Sequence, residues 1–199
     1  MFDAQGRLRY VHFGEGNYDE TEKNIQLLLA EAGMDAEGPM TEAESDVDFS
    51  KIRTPETYIG YERQESLGSS EPVLRDSSQT YSVAAEPAFN RFYLGGAWTV
   101  RAEHADLDKA PGEVVFLYEA GSANLVMGGQ AKAEVTLGGL PVPEDMRGAD
   151  VFVDAGKTYV NVNDERLYEI VDAKGAYGRH LLRIRFLDPG VRLYAFTFG

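Results

Sequence analysis

Alternation with a period of two runs through the last seventy residues of the chain and confines it to a small set of folds. Ala133, Val135 and Leu137 alternate with Lys132, Glu134 and Thr136, and Val160 and Val162 with Tyr159 and Asn161. Leu182, Ile184 and Phe186 alternate with Arg183 and Arg185, and Tyr194, Phe196 and Phe198 carry the pattern to the end. Successive side chains of an extended strand point to opposite faces, so such runs make strands with one buried and one wet face. Gly, Asp or Pro closes nearly every run, which is the turn chemistry of an all-β domain. The pattern predicts a mainly β fold, an antiparallel two-sheet sandwich of jelly-roll type.

Strands are expected near Thr57–Arg63, Gln79–Val83, Phe89–Leu94, Ala97–Glu103, Glu113–Glu119, Ala123–Met127, Lys132–Leu137, Asp150–Asp154, Thr158–Asn163, Arg166–Val171, His180–Leu187 and Arg192–Phe198. Ser66–Ser78 is polar and reads as a long surface loop. Leu182, Ile184, Phe186 and alternate residues of Tyr194–Phe198 are expected inside. Gly128-Gly129 and Gly138-Gly139 suit hairpin turns, and no helix follows either pair to make a phosphate loop.

The first 33 residues behave differently. A turn at Asp3-Ala4-Gln5-Gly6 leads into Arg7–Phe13, which alternates like a strand. Gly14-Glu15-Gly16 breaks it. Asp19 with Glu22 three residues on has the spacing of a capping box. Ile25, Leu28, Leu29 and Ala32 share one helical face, and Gly33 is placed for a left-handed cap. A strand and a helix cannot enclose a core, so that stripe is expected to dock, on the sandwich or on a second copy in a homodimer. Residues 34–50 carry six acidic and no basic side chains and read as an extended linker. The domain layout is therefore 1–33, the linker 34–50, and the β domain 51–199.

Composition excludes several functions. A net charge of −14 leaves no Lys and Arg stripe for nucleic acid or for an anionic membrane surface. No apolar run approaches the 20 or so residues of a membrane-spanning helix, so no membrane insertion is expected. Met1–Tyr10 shows no secretion signal. With no cysteine, the chain has no thiolate for redox catalysis and no sulfur ligand for zinc. His12, His104 and His180 stand far apart, and Asp106/Asp108 and Asn161/Asn163/Asp164 lack the loop spacing of a calcium site. No catalytic residue, metal or cofactor is assigned.

The segment RLRYVHFGEGNYDETEKNIQLLLAEAG resembles the last strand and helix of the redoxin domain in DipZ-like proteins, which are bacterial thiol–disulfide proteins linked to cytochrome c biogenesis. The blocks TPETYIGY (54–61), YLGGAW (93–98), RLY (166–168) and DPGVRLYAFTFG (188–199) resemble the β-sandwich that follows it there, a domain similar to carbohydrate-binding modules. The resemblance implies that residues 1–33 are the end of a thioredoxin-like domain, whose Cys-x-x-Cys and cis-proline segments fall upstream of Met1. It implies an extracytoplasmic, periplasmic setting and the redoxin domain of the same protein as partner. It makes the β domain a non-catalytic module that docks a glycan or a protein. The residues themselves offer Trp98 as a flat ring, Tyr58 as one of two tyrosines on opposite strand faces, and Arg166 with Tyr168 on one face as candidate ligand contacts. Against this stands a structural role, in which Trp98 is core and Arg166 pairs with a carboxylate.

Overall fold

The computed structural model describes residues 1–11, 18–34 and 52–199. Residues 35–50 of the expected linker, His12 and the end of the expected strand Arg7–Phe13 lie outside the described residues. The chain divides into two compact units, Met1–Asp46 and Val47–Gly199.

In the first unit, Asp3 organises a tight turn. Its carboxylate accepts from the Gln5 and Arg7 amides at 3.0 and 2.9 Å and from Arg7 Nε at 2.8 Å. Those donors, the Arg7 amide foremost, push its pKa down to about 2. Instead of the expected strand, the described residues hold one antiparallel bridge, Phe2 to Leu8. The helix α1 spans Tyr18–Glu31, starting one residue ahead of the expected cap. Asp19 and Glu20 therefore sit in its first turn, at the positive end of the helix dipole. Glu22 accepts from Gln26 at 3.1 Å, one turn on. Gly33, at φ +75°, caps the helix as expected: its amide reaches the Ala30 carbonyl and the Met34 amide reaches that of Leu29. Arg9 then clamps Glu31 through two hydrogen bonds of 2.6 and 3.0 Å. The apolar stripe is not buried: Ile25, Leu29 and Ala32 are exposed and Leu28 is half-buried.

The second unit is built from twelve described strands: β1 (Thr57–Tyr58), β2 (Ser78–Tyr81), β3 (Arg91–Val100), β4 (Ala105–Ala120), β5 (Ser122–Gly128), β6 (Ala131–Leu137), β7 (Leu140–Pro141), β8 (Phe152–Asp154), β9 (Lys157–Val162), β10 (Arg166–Asp172), β11 (Gly178–Phe186) and β12 (Arg192–Phe198). They form one antiparallel sheet, in the order β10-β5-β12-β4-β11-β6-β9-β8, with β3 and β2 continuing beside β4. This corrects the expectation of two separate sheets. The long strand β4 makes the link: Ala105 and Asp106 pair with β12, while Gly112–Ala120 pair with β11. One hydrogen-bonded ladder thus curls over a shared core.

That core holds Trp98, Phe116, Tyr118, Tyr168, Leu182, Ile184, Phe186 and Phe196, all at most 1% exposed. The expected inward set on β11 is inside. On β12 a register shift between Leu193 and Ala195 breaks the parity, so Leu193, Ala195 and Phe196 are buried while Tyr194 is half-exposed. The two strands expected at Phe89–Leu94 and Ala97–Glu103 are one, β3, with a bulge at Gly95–Ala97. Gly138-Gly139 do turn a hairpin, between β6 and β7. Gly128-Gly129 do not, because β5 and β6 are not partners. Instead Gly129 lies so close to the Gly190 carbonyl oxygen that a Cβ would stand 2.3 Å from it.

Candidate functional site

From Thr54 the chain is pinned to the β domain before it reaches β1. The buried Thr54 hydroxyl donates to Asn90 Oδ1 and accepts from the Glu119 amide, both at 2.7 Å. β1 then joins the edge of β12, Thr57 opposite Phe196 and Tyr58 opposite Ala195. Beyond it the chain presses against the β3–β4 turn: the Tyr61 and Glu62 amides bond the Arg101 and Ala102 carbonyls at 2.9 and 3.0 Å. Only glycine fits at position 60, since a Cβ there would stand 2.2 Å from the Glu103 carbonyl carbon. These contacts leave an open groove of about 350 Å3, with Tyr58, Tyr194, Glu56, Glu62, Arg63 and Glu103 on its walls. Its size is in the range of small-ligand sites.

The groove is aromatic and acidic. Arg63 lies over the Tyr58 ring, its guanidinium carbon 3.3 Å from the centroid. Partial burial and the Glu56 carboxylate raise the Tyr58 phenol above its ordinary value. Tyr194 donates to Glu165 Oε2 at 2.6 Å, and burial first, then that carboxylate, push its phenol up to about 12. The His104 ring packs on Tyr194 at 5.1 Å. Among the described residues, Glu62 and Glu103 have no ion pair. Carboxylates placed beside ring faces accept hydrogen bonds from hydroxyl or ammonium groups while the rings cover C–H surface.

Of the four residues singled out in the sequence, only Tyr58 lines this groove. Trp98 is fully buried; its indole donates to the Gly95 carbonyl at 3.0 Å. Tyr168 is fully buried too, its hydroxyl bonded to the Asn163 and Asp164 amides at 3.1 Å. Neither offers a ring face to a ligand, and both expectations are corrected on that ground. Arg166 makes a two-pronged pair with Asp150, at 3.0 and 2.6 Å, and covers the Tyr168 ring at 3.9 Å. Its guanidinium is spent on the fold. The Asp106 and Asp108 carboxylates are likewise engaged, by Arg101, Thr99 and Ser78. Tyr194 was missed, because straight alternation placed it with Phe196 and Phe198. The bulge that turns it outward leaves no mark on period-two counting.

The described residues thus make a curled, mainly β domain with its large aromatics inside and an open polar–aromatic groove. The chain belongs to the family described as the thioredoxin like C-terminal domain, whose model matches residues 54–199. It is also similar to protein DipZ of Mycobacterium bovis and to protein DipZ of Mycobacterium tuberculosis, 26% identical to each over 201 aligned residues. Those matches cover the whole of this chain, which spans about a quarter (26%) of the relatives' length. No described helix is long and apolar enough to cross a membrane.

Proposed function

We propose that the β domain is a non-catalytic docking module that holds a hydroxyl-rich ligand, a glycan, in the groove at Tyr58 and Tyr194. It serves an attached redoxin domain in an extracytoplasmic thiol–disulfide protein of the DipZ type. The single observation that carries this reading is the convergence of two tyrosine rings with the Glu56, Glu62 and Glu103 carboxylates around one open groove. Carboxylates receive sugar hydroxyls, and the rings receive the apolar faces between them. Family membership, and similarity along this chain to a quarter of protein DipZ, support the wider setting. The curl of the sheet supports a likeness to carbohydrate-binding sandwiches. Because the chain has no cysteine, any thiol exchange belongs to another part of such a protein.

A second reading has its own support: the burial of Trp98 and Tyr168 favours a domain that only stabilises or orients the redoxin unit. Titration of the 15N-labelled chain with neutral oligosaccharides separates the two. Docking predicts saturable amide shifts at Gly60, Ala102 and Glu103, lost in Tyr58→Ala and weakened in Glu62→Gln. If no oligosaccharide or candidate protein partner moves these resonances, the groove is not a site and the structural reading stands.

A further inference from the structure

Arg183 and Arg185 lie two residues apart on β11 and therefore share its outer face. Arg185 stands in register between Glu113 of β4 and Glu134 of β6, yet neither carboxylate serves it. Glu113 takes the Arg183 guanidinium at 2.6 Å and Glu134 takes Lys157 at 2.9 Å. Among the described residues Arg185 has no ion pair or hydrogen bond. A guanidinium in register with two acceptors, and given neither, is available to a ligand.

Both arginines line a second groove of about 450 Å3, shared with Ser82, Gly95, Gly112 and Glu113. Its wall along β3 is bare main chain. A Cβ at Gly95 would come within 2.8 Å of Glu113 Cγ, so the glycine leaves Glu113 room to lie beside Arg183. The lining thus offers one unpaired guanidinium and one guanidinium–carboxylate pair, while the Ser82 hydroxyl donates to Glu71 at 2.6 Å.

We infer that this groove is a second ligand site, separate from the aromatic one, and that it takes a carboxylate-bearing sugar unit with Arg185 as anchor. A guanidinium fork matches a planar carboxylate through two parallel hydrogen bonds. Glu113 accepts from neighbouring hydroxyls, which suits a sugar acid and repels a densely charged polyanion. The chain's net charge of −14 acts the same way at long range, so attraction here is local and limited to a single carboxylate at a time.

The test uses the full 15N-labelled chain with two probes, tetragalacturonate and the same oligomer fully methyl-esterified. The acid should shift the Gly95, Gly96 and Gly112 amides to saturation, and the ester should not. Arg185→Gln should weaken the binding read at those three amides at least tenfold, and Tyr58→Ala should leave their shifts unchanged. Because Arg185 is exposed, the variant's free spectrum should keep wild-type dispersion; if it does not, the contrast between acid and ester decides alone. Equal shifts with acid and ester, or undiminished binding by Arg185→Gln, overturns the proposal. Shifts confined to Gly60 and Ala102 also overturn it and assign the acid to the aromatic groove instead.

Discussion

The indole nitrogen of Trp98 donates to the carbonyl of Gly95, three residues back across the β3 bulge, at 3.0 Å. The same ring meets Phe186 of β11 edge-on, with centroids 6.0 Å apart. One side chain thus holds the bulge closed and ties β3 to the middle of the sheet. Trp98→Ala should cost about 3–5 kcal/mol, a large share of the stability of a domain this size. Guanidinium unfolding followed by far-ultraviolet circular dichroism measures it. A variant as stable as the wild type, or one changed only in ligand binding, would contradict the core assignment.

Tyr118 makes the opposite case. Its ring is fully buried, and its hydroxyl has no hydrogen-bond partner among the described residues. Burial drives the phenol well above its ordinary value. A buried hydroxyl without a partner carries a desolvation cost of about 1–3 kcal/mol, which phenylalanine does not. Tyr118→Phe should therefore be neutral or stabilising by about 1 kcal/mol. A loss of more than 1 kcal/mol in a urea titration, on that same scale, would show that the hydroxyl is satisfied after all.

His180 packs its ring 5.5 Å from Tyr118, with Nε2 buried and unbonded among the described residues. Desolvation lowers its pKa below the ordinary 6.5. The unfolded chain therefore takes up a proton first as the pH falls, so this group withdraws stability below about 6.5. The loss stops growing once the folded state also protonates. His180→Gln should flatten that part of the stability–pH curve, read from urea midpoints between pH 7 and 5. A curve of unchanged slope would rule out His180 as its source.

What was legible in the sequence follows the same physical lines. Strands with one wet face, such as β6 and β11, declare themselves because burial alternates with the pleat. The first half of β4, residues 105–112, was invisible: Asp106, Asp108, Pro111 and Gly112 are turn residues by propensity. Here they lie where β4 passes from β12 to β11, and between Gly95 and Ala97 the β3–β4 register skips from Glu113 to Lys109. Two sheets and one curled sheet give the same alternation, so the sequence pattern could not separate them. Of the groove, Tyr58 was legible only as a candidate ligand contact. Gly60 and Tyr194 owe their places to a backbone contact and a bulge, and neither has a periodic signature.

The helix α1 poses the last question. At 14 residues it is too short to be more than marginal by itself in water. The Gly33 cap and the Arg9–Glu31 clamp help, but a solvent-screened ion pair contributes little. Covering Ile25, Leu28 and Leu29 would add about 1.5–3 kcal/mol for each side chain taken fully out of water. In solution this chain should supply that cover by pairing with a second copy, helix against helix, about a two-fold axis. Light scattering should report a dimer that Leu28→Asp with Leu29→Asp converts to monomer, with the β domain still folded. A monomeric wild type in which the amides of Glu22–Ala32 exchange freely would show that the stripe has no cover and that the helix does not persist in solution.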